Sequence, residues 1–90
     1  MAVLIDQPSW PAHGTVWSHL VSTVSLAELH AFAAAQRVPS RAFDLDHYDV
    51  PAASYEALVA AGAQPVTYRQ LVTQLRASGL RVTMRERRGL

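Results

Sequence analysis

The stretch LVAAGAQPVTYRQL, Leu58 to Leu71, decides how the chain is expected to fold. Tyr55, Leu58 and Val59 mark one side of a helix, and Gly62 suits the left-handed position just past a helix end. Ala63 to Val66 then reads as a very short apolar strand. Thr67 opens another helix, with Gln70 three residues on completing a capping box. Leu71, Val72 and Leu75 face inward along that helix, and Gly79 ends it. Helix, Gly-Ala, short strand and helix in succession is the rhythm of a strand–helix–strand unit, which points to an α/β fold.

Outward from this stretch the elements are shorter. Ala2 to Ile5 is an apolar run ending at Asp6, which reads as a buried strand. Gln7 to Thr15 holds Pro8, Pro11 and Gly14 and reads as a loop. Val16 to Ser22 alternates as a second strand, with Trp17, His19 and Val21 on one face. No two-residue turn signal separates these strands, so a wide hairpin or a crossing loop is expected. Ser25 to Glu28 forms a capping box, opening a helix to about Gln36 with Leu26, Leu29, Phe32 and Ala33 as its apolar stripe. Pro39 ends it. Ser40 to Asp46 is a loop or single turn, with Phe43 as its anchor. His47 to Val50 is extended, and Pro51 suits the first turn of the following helix. Leu80 to Met84 alternates as a final strand. The expected fold is a small, mostly parallel sheet of three to four short strands, with about three helices packed on it. Residues 1–80 should form a single compact α/β domain, and residues 81–90 an Arg-rich C-terminal strand or tail.

Composition limits the chemistry. The chain has 90 residues, a formal net charge of +1 and no cysteine. Disulfides and thiolate metal sites are thereby excluded, and any metal must be held by His, Asp or Glu. Every basic side chain is Arg, which together with abundant Ala reads as the codon bias of a GC-rich bacterial genome. Arg81, Arg85, Arg87 and Arg88 stand near the C-terminus against Glu86 alone. A basic tail of this kind can touch nucleic acid, although a solvated terminus is the simpler account. No run approaches the ~20 apolar residues of a membrane span, and the N-terminus lacks a signal-peptide pattern. A cytoplasmic protein with no membrane partner is expected.

The sequence holds no phosphate loop, metalloprotease motif or nucleophile elbow. A scattered polar set remains: Asp6, His19, His30, His47, Asp46 and Asp49. Asp6 ends the first strand, where open α/β sheets bind ligands, and could hold a cation or act as a base. It could equally cap a turn. His47 and Asp49 are two apart, so on an extended segment they share a face, as metal ligands or an acid/base pair would. Alternatively, Asp49 caps the next helix. His19 sits in a half-buried strand, as a ligand or as a hydrogen-bonded core residue. His30 lies at the edge of the first helix's stripe and suits packing or a supporting hydrogen bond, with Tyr48 in a similar role. His13 reads as solvated. Trp17 covers the sheet, while Trp10 is free to anchor a partner or stack on a base.

Val3-Leu4-Ile5-Asp6, Trp10-Pro11, Ser18-His19-Leu20, Glu28-Leu29-His30-Ala31-Phe32-Ala33, His47-Tyr48-Asp49 and Gly62-Ala63 occur in a specific order and spacing. Together they resemble a bacterial and phage domain-of-unknown-function family, number 4031, from Val3 to about Leu80. The resemblance implies a small cytoplasmic bacterial protein and supplies no catalytic residues. The family pattern includes positions matching Asp6, His19, His30, His47 and Asp49. It also leads one to expect an Arg early in the helix after His-Tyr-Asp, where this chain has Ala52, Ala53 and Ser54.

Two functions follow. One is a binding or regulatory module, with a fixed polar network and with Trp10 and the Arg-rich end contacting a protein, nucleic acid or a second copy of the chain. The alternative is a metal-dependent hydrolase or nuclease-like domain, in which Asp6, His19, His47 and Asp49 hold one divalent metal ion that activates water.

Overall fold

A computed structural model describes residues 2–89 and shows an α/β fold. Its strands are β1 (Val3–Asp6), β2 (Trp10–Ala12), β3 (Thr15–Ser22), β4 (Phe43–Asp44), β5 (His47–Pro51) and β6 (Gln64–Val66). Its α-helices are α1 (Leu26–Ala35), α2 (Tyr55–Ala60), α3 (Tyr68–Ser78) and α4 (Met84–Arg88). The strand order is β4-β5-β3-β1-β6, with β2 beside β3.

The sheet is mixed and mostly antiparallel, which corrects the expectation of a mostly parallel one. Only β1 and β6 run parallel; β1–β3, β2–β3, β3–β5 and β4–β5 are antiparallel. Tight turns make two of the four antiparallel pairs, β2–β3 and β4–β5. Between Ala12 and Thr15, His13 and Gly14 both have positive φ, 51° and 80°. Positive φ at both central residues is the pattern of the tight turn that matches strand twist, a role in which Asn-Gly is common. His13 takes the Asn place, and Trp10–Ala12 becomes a strand despite Pro11. The second turn is at Leu45, with φ 60° and a hydrogen bond from the Asp46 N–H to the Asp44 carbonyl (2.7 Å). It reverses the chain between β4 and β5. The extra strands are only two to five residues long, too short for periodicity to reveal.

Helix boundaries follow local chemistry. Ser25 Oγ accepts the Glu28 N–H (3.0 Å), as its spacing predicts. The Glu28 carboxylate does not return to the Ser25 N–H. It accepts from Ser22 Oγ and the Ala2 N–H, while Ser22 Oγ accepts from Ser25 N. Arg37 follows α1 in the left-handed region at φ 60°, with Arg37 N bonded to the Ala34 carbonyl and Val38 N to that of Ala33. Those bonds form a Schellman ending, whose left-handed residue is usually Gly. A side chain there costs about 1 kcal/mol or more. Pro51 ends β5 instead of starting α2, and a short 3₁₀ turn over Ala52–Ser54 leads into that helix. The strand expected over Leu80 to Met84 is absent. Thr83 and Glu86 form a reciprocal capping box that starts α4, and this local pairing overrides the apolar alternation.

The sheet buries both faces. On one, Val3, Ile5, Leu20, Tyr48 and Val50 pack with Leu29, Phe32 and Ala33 of α1 and Leu58 of α2. On the other, Leu4 and Val21 pack beneath Leu71 and Leu75 of α3. The chain stops covering this second face beyond Val21, and the site lies on the remaining part. No helix among the described residues is long and apolar enough to cross a membrane.

Candidate metal centre

Register assembles the site. His19 of β3 is directly opposite Asp49 of β5, and Trp17 is opposite Pro51. Alternation puts His47, Asp49 and Pro51 on the same face as Trp17, His19 and Val21. One atom each from His19, His47 and Asp49 lie within 4.8 Å of one another.

Both imidazoles are held from behind by buried carboxylates. Asp6 Oδ1 accepts the His19 backbone N–H (2.6 Å), and Asp6 Oδ2 is 2.8 Å from His19 Nδ1. Asp46 Oδ1 is 2.6 Å from His47 Nδ1. Asp46 is fully buried, and its Oδ2 accepts the Val82 N–H (2.8 Å) and lies 3.4 Å from an Arg81 nitrogen. When Nδ1 donates to a carboxylate, the ring is fixed in the tautomer that carries a lone pair on Nε2.

His47 Nε2 and Asp49 Oδ1 are 2.9 Å apart. The approach is too oblique for a hydrogen bond, and Asp49 Oδ1 is buried with no hydrogen-bond partner. A lone pair and a carboxylate oxygen at that distance repel unless positive charge lies between or beside them. Burial opposes charge on His47. The hydrogen bond to Asp46 and the fields of Asp49, Asp46 and Asp44 outweigh it and raise its pKa above 6.5. Burial likewise pushes the Asp46 pKa upward, but the hydrogen bonds from His47 and the Val82 N–H, with the charges of His47 and Arg81, bring it below 3.8.

The surroundings are aromatic on one side and cationic on another. Trp10 stacks on Trp17 and on His19, each with 5.9 Å between ring centroids. Tyr68, the first residue of α3, lies 5.4 Å from the His19 ring. A cavity of ≈ 200 Å³ opens beside His19 and His47, walled by Tyr68, Leu71, Arg81 and Arg87. Arg87 also reaches Asp44 Oδ1 at 2.9 Å.

The expected site residues divide accordingly. His19, His47 and Asp49 converge. Asp6 stands one step behind them, because both its oxygens are used on His19. His30 and Tyr48, expected to support the cluster, bond to each other (2.6 Å) on the opposite face of the sheet. Tyr48 alternates away from its neighbours His47 and Asp49, into the core under α1. Trp10 is half-buried within β2 and forms a wall of the site, so it is no free anchor. Asp46, one of the scattered polar residues, stands behind His47, whereas Tyr68, Arg81 and Val82 carry no signal for the site in sequence. Asp46 follows a strained Leu45 in a two-strand turn, and Val82 contributes only its backbone, which leaves no trace in side-chain identity.

The sequence profile of the family described as Protein of unknown function (DUF4031) matches residues 3–78. The chain belongs to the DUF4031 family. All three converging residues of this DUF4031 chain, and both carboxylates behind them, fall inside the matched span. Arg81, Val82 and Arg87 fall outside it. No curated protein and no solved structure is similar enough to this DUF4031 chain to count as a match.

Proposed function

We propose that this DUF4031 protein is a metal-dependent hydrolase of anionic esters, with one divalent transition-metal ion held by His19, His47 and Asp49. The observation that carries the reading is the convergence of one donor atom each from His19, His47 and Asp49 within 4.8 Å, with Asp49 Oδ1 facing His47 Nε2 at 2.9 Å. Two donors bonded to one ion at ~2.1 Å and near-right angles are separated by roughly this distance. Two imidazoles and a carboxylate suit zinc, manganese or iron better than magnesium or calcium. Three protein ligands leave positions open, as in catalytic centres rather than closed structural ones. Such an ion supplies Lewis acidity and a bound water acidified toward neutrality.

The chain's own residues account for the remainder. Asp6 and Asp46 fix ring orientation and tautomer and strengthen each imidazole as a donor. Asp49 contributes negative charge, which lowers the net charge of the occupied site. Trp10 and Tyr68 shield one side from bulk water. In the alternative, a purely structural polar network, a protonated His47 pairs with Asp49, and a metal-induced rise in melting temperature separates the two readings.

The test is a thermal melt of chelator-treated protein against Mg²⁺, Mn²⁺, Zn²⁺ and Ni²⁺. At a hundredfold excess over the dissociation constant, a fitting ion should stabilise by ~2.7 kcal/mol, or roughly 10 °C or more in a chain of this size. A flat panel overturns the reading and returns the chain to the class of binding modules. With metal established, Asp6→Asn is expected to weaken affinity by ~10- to 100-fold while the fold is kept, since it removes the charge behind His19. Calorimetric titration measures it.

A further inference from the structure

A second, larger cavity adjoins the same centre. It measures ≈ 470 Å³ and lies along β5, with Asp49 and Trp17 among its walls and Arg37 and Arg41 also lining it. β4 pairs only with His47 and Tyr48, so that side of β5 carries no strand beyond Tyr48. The groove occupies this gap, between the segment after α1 and the start of α2.

Three observations concern what it holds. First, Arg37 and Arg41 are exposed and, among the described residues, neither pairs with a carboxylate. Arg81 and Arg87, in the smaller cavity, are already engaged by Asp46 and Asp44. Of the two cavities, the groove is therefore the one whose arginines are free of ion pairs, and Asp49 is the acidic residue in its lining. Second, Arg37 holds the left-handed position that glycine would fill with less strain. A strained residue that carries an unpaired charge into a groove is a mark of function rather than of folding. Third, most of the remaining lining is apolar, with Val38, Pro51 and Leu58 beside Trp17, which stacks on Trp10, and with Gln36, Ser54 and Asp49 as its polar members. The volume lies within the ~300–1,000 Å³ of small-molecule sites.

We infer that this groove binds a nucleotide-sized organic phosphate ester, its phosphate between Arg37 and Arg41 and its flat, less polar part against Trp17. Guanidinium forks match phosphate oxygens in paired hydrogen bonds. Asp49 is the one residue the groove shares with the proposed metal centre, while its walls Val38, Val50 and Leu58 belong to the opposite face of the sheet. The inference deepens the hydrolase reading and rests on it for chemistry, but the binding step is separable from the metal.

The experiment titrates thymidine 5′-monophosphate into the full chain by calorimetry, once with Mn²⁺ and once with chelator. Arg37→Gly and Arg41→Gln are each expected to weaken binding about tenfold or more, the loss of one charge-assisted contact. Arg37→Gly should also melt at the same or a higher temperature than the parent, because glycine relieves the left-handed strain. Loss of affinity then cannot be ascribed to unfolding. Arginine-dependent binding that persists in chelator upholds the groove even if no metal effect exists. Equal affinity in parent and both variants overturns it, even if the metal panel is positive. Equal competition by succinate overturns the choice of phosphate. Binding of single-stranded oligonucleotides without binding of the mononucleotide overturns the assigned size.

Discussion

Asp46→Ala is expected to lower the melting temperature more than any other single change in the site. Its carboxylate is fully buried and joins three parts of the chain: His47 at the start of β5, the Val82 backbone and Arg81. Removal leaves the Val82 N–H and His47 Nδ1 without partners in a buried place. Breaking a buried charged pair from one side costs roughly 3–5 kcal/mol. At about 4–8 °C per kcal/mol for a domain of this size, the loss is on the order of 15 °C. Part of the effect should be local, with the segment from Leu80 onward detaching before the sheet melts. Differential scanning calorimetry with amide exchange at Val82 checks both. A fall of only a few degrees would mean that the C-terminal segment is not held by this contact.

The same pair sets a pH window for the metal-free protein. The Asp46 pKa is lower in the folded chain than its ordinary 3.8, so its stabilisation is present above that value and lost as pH falls through the folded pKa. The His47 pKa is raised from 6.5, so its stabilisation is full below 6.5 and lost as pH rises through the folded value. Metal-free protein should therefore be most stable between these limits. Metal-loaded protein should behave oppositely at the alkaline end, because an ion and a proton compete for His47 Nε2. Melts across pH with and without metal should converge below about pH 6 and separate above it.

Asp49→Asn is the second large effect, and it is confined to the metal. The variant should lose essentially all of the metal-induced rise, roughly 10 °C at a hundredfold excess of ion over the parent's dissociation constant. Without metal it should melt close to the parent temperature above the folded pKa of His47, and slightly lower below it, where the charge that favours the His47 proton is gone. Above that pKa an amide can donate to the neutral His47 Nε2, a contact the carboxylate cannot make. A drop in metal-free stability comparable with that of Asp46→Ala would show Asp49 to be a structural residue.

Much of the centre could be read from strand period alone. Two residues apart on an extended segment means one face, and this put His47 with Asp49 and Trp17 with His19. The pairing of the two strands was not legible, because α1 and β4 separate β3 from β5 in the chain and no turn signal links them. The same rule of alternation, applied to Tyr48, excludes it from the cluster, although it lies between two of the converging residues in sequence. Asp6 was assigned to the right place and the wrong role. Its position at the end of β1 is visible in sequence, whereas the engagement of both oxygens by His19 depends on the β1–β3 register. Asp46 is visible in sequence as a polar candidate, but its contact is not: adjacency to His47 on a regular strand would aim the two apart, and only the left-handed Leu45 and the turn it makes bring the carboxylate under the ring.

The three converging side chains all stand on β3 and β5, which are bonded directly to each other through the antiparallel register from Trp17 to Leu20. The backbone ladder, rather than any ion, holds them in place. Chelation should therefore empty the centre without unravelling the chain, unlike a zinc finger, whose folding depends on its ion. Metal exchange then has no folding step in its path, and its rate is set by how fast the ion sheds water and reaches the two rings. A protein built this way would stay folded through periods of metal scarcity and take up the proposed ion in a single binding event.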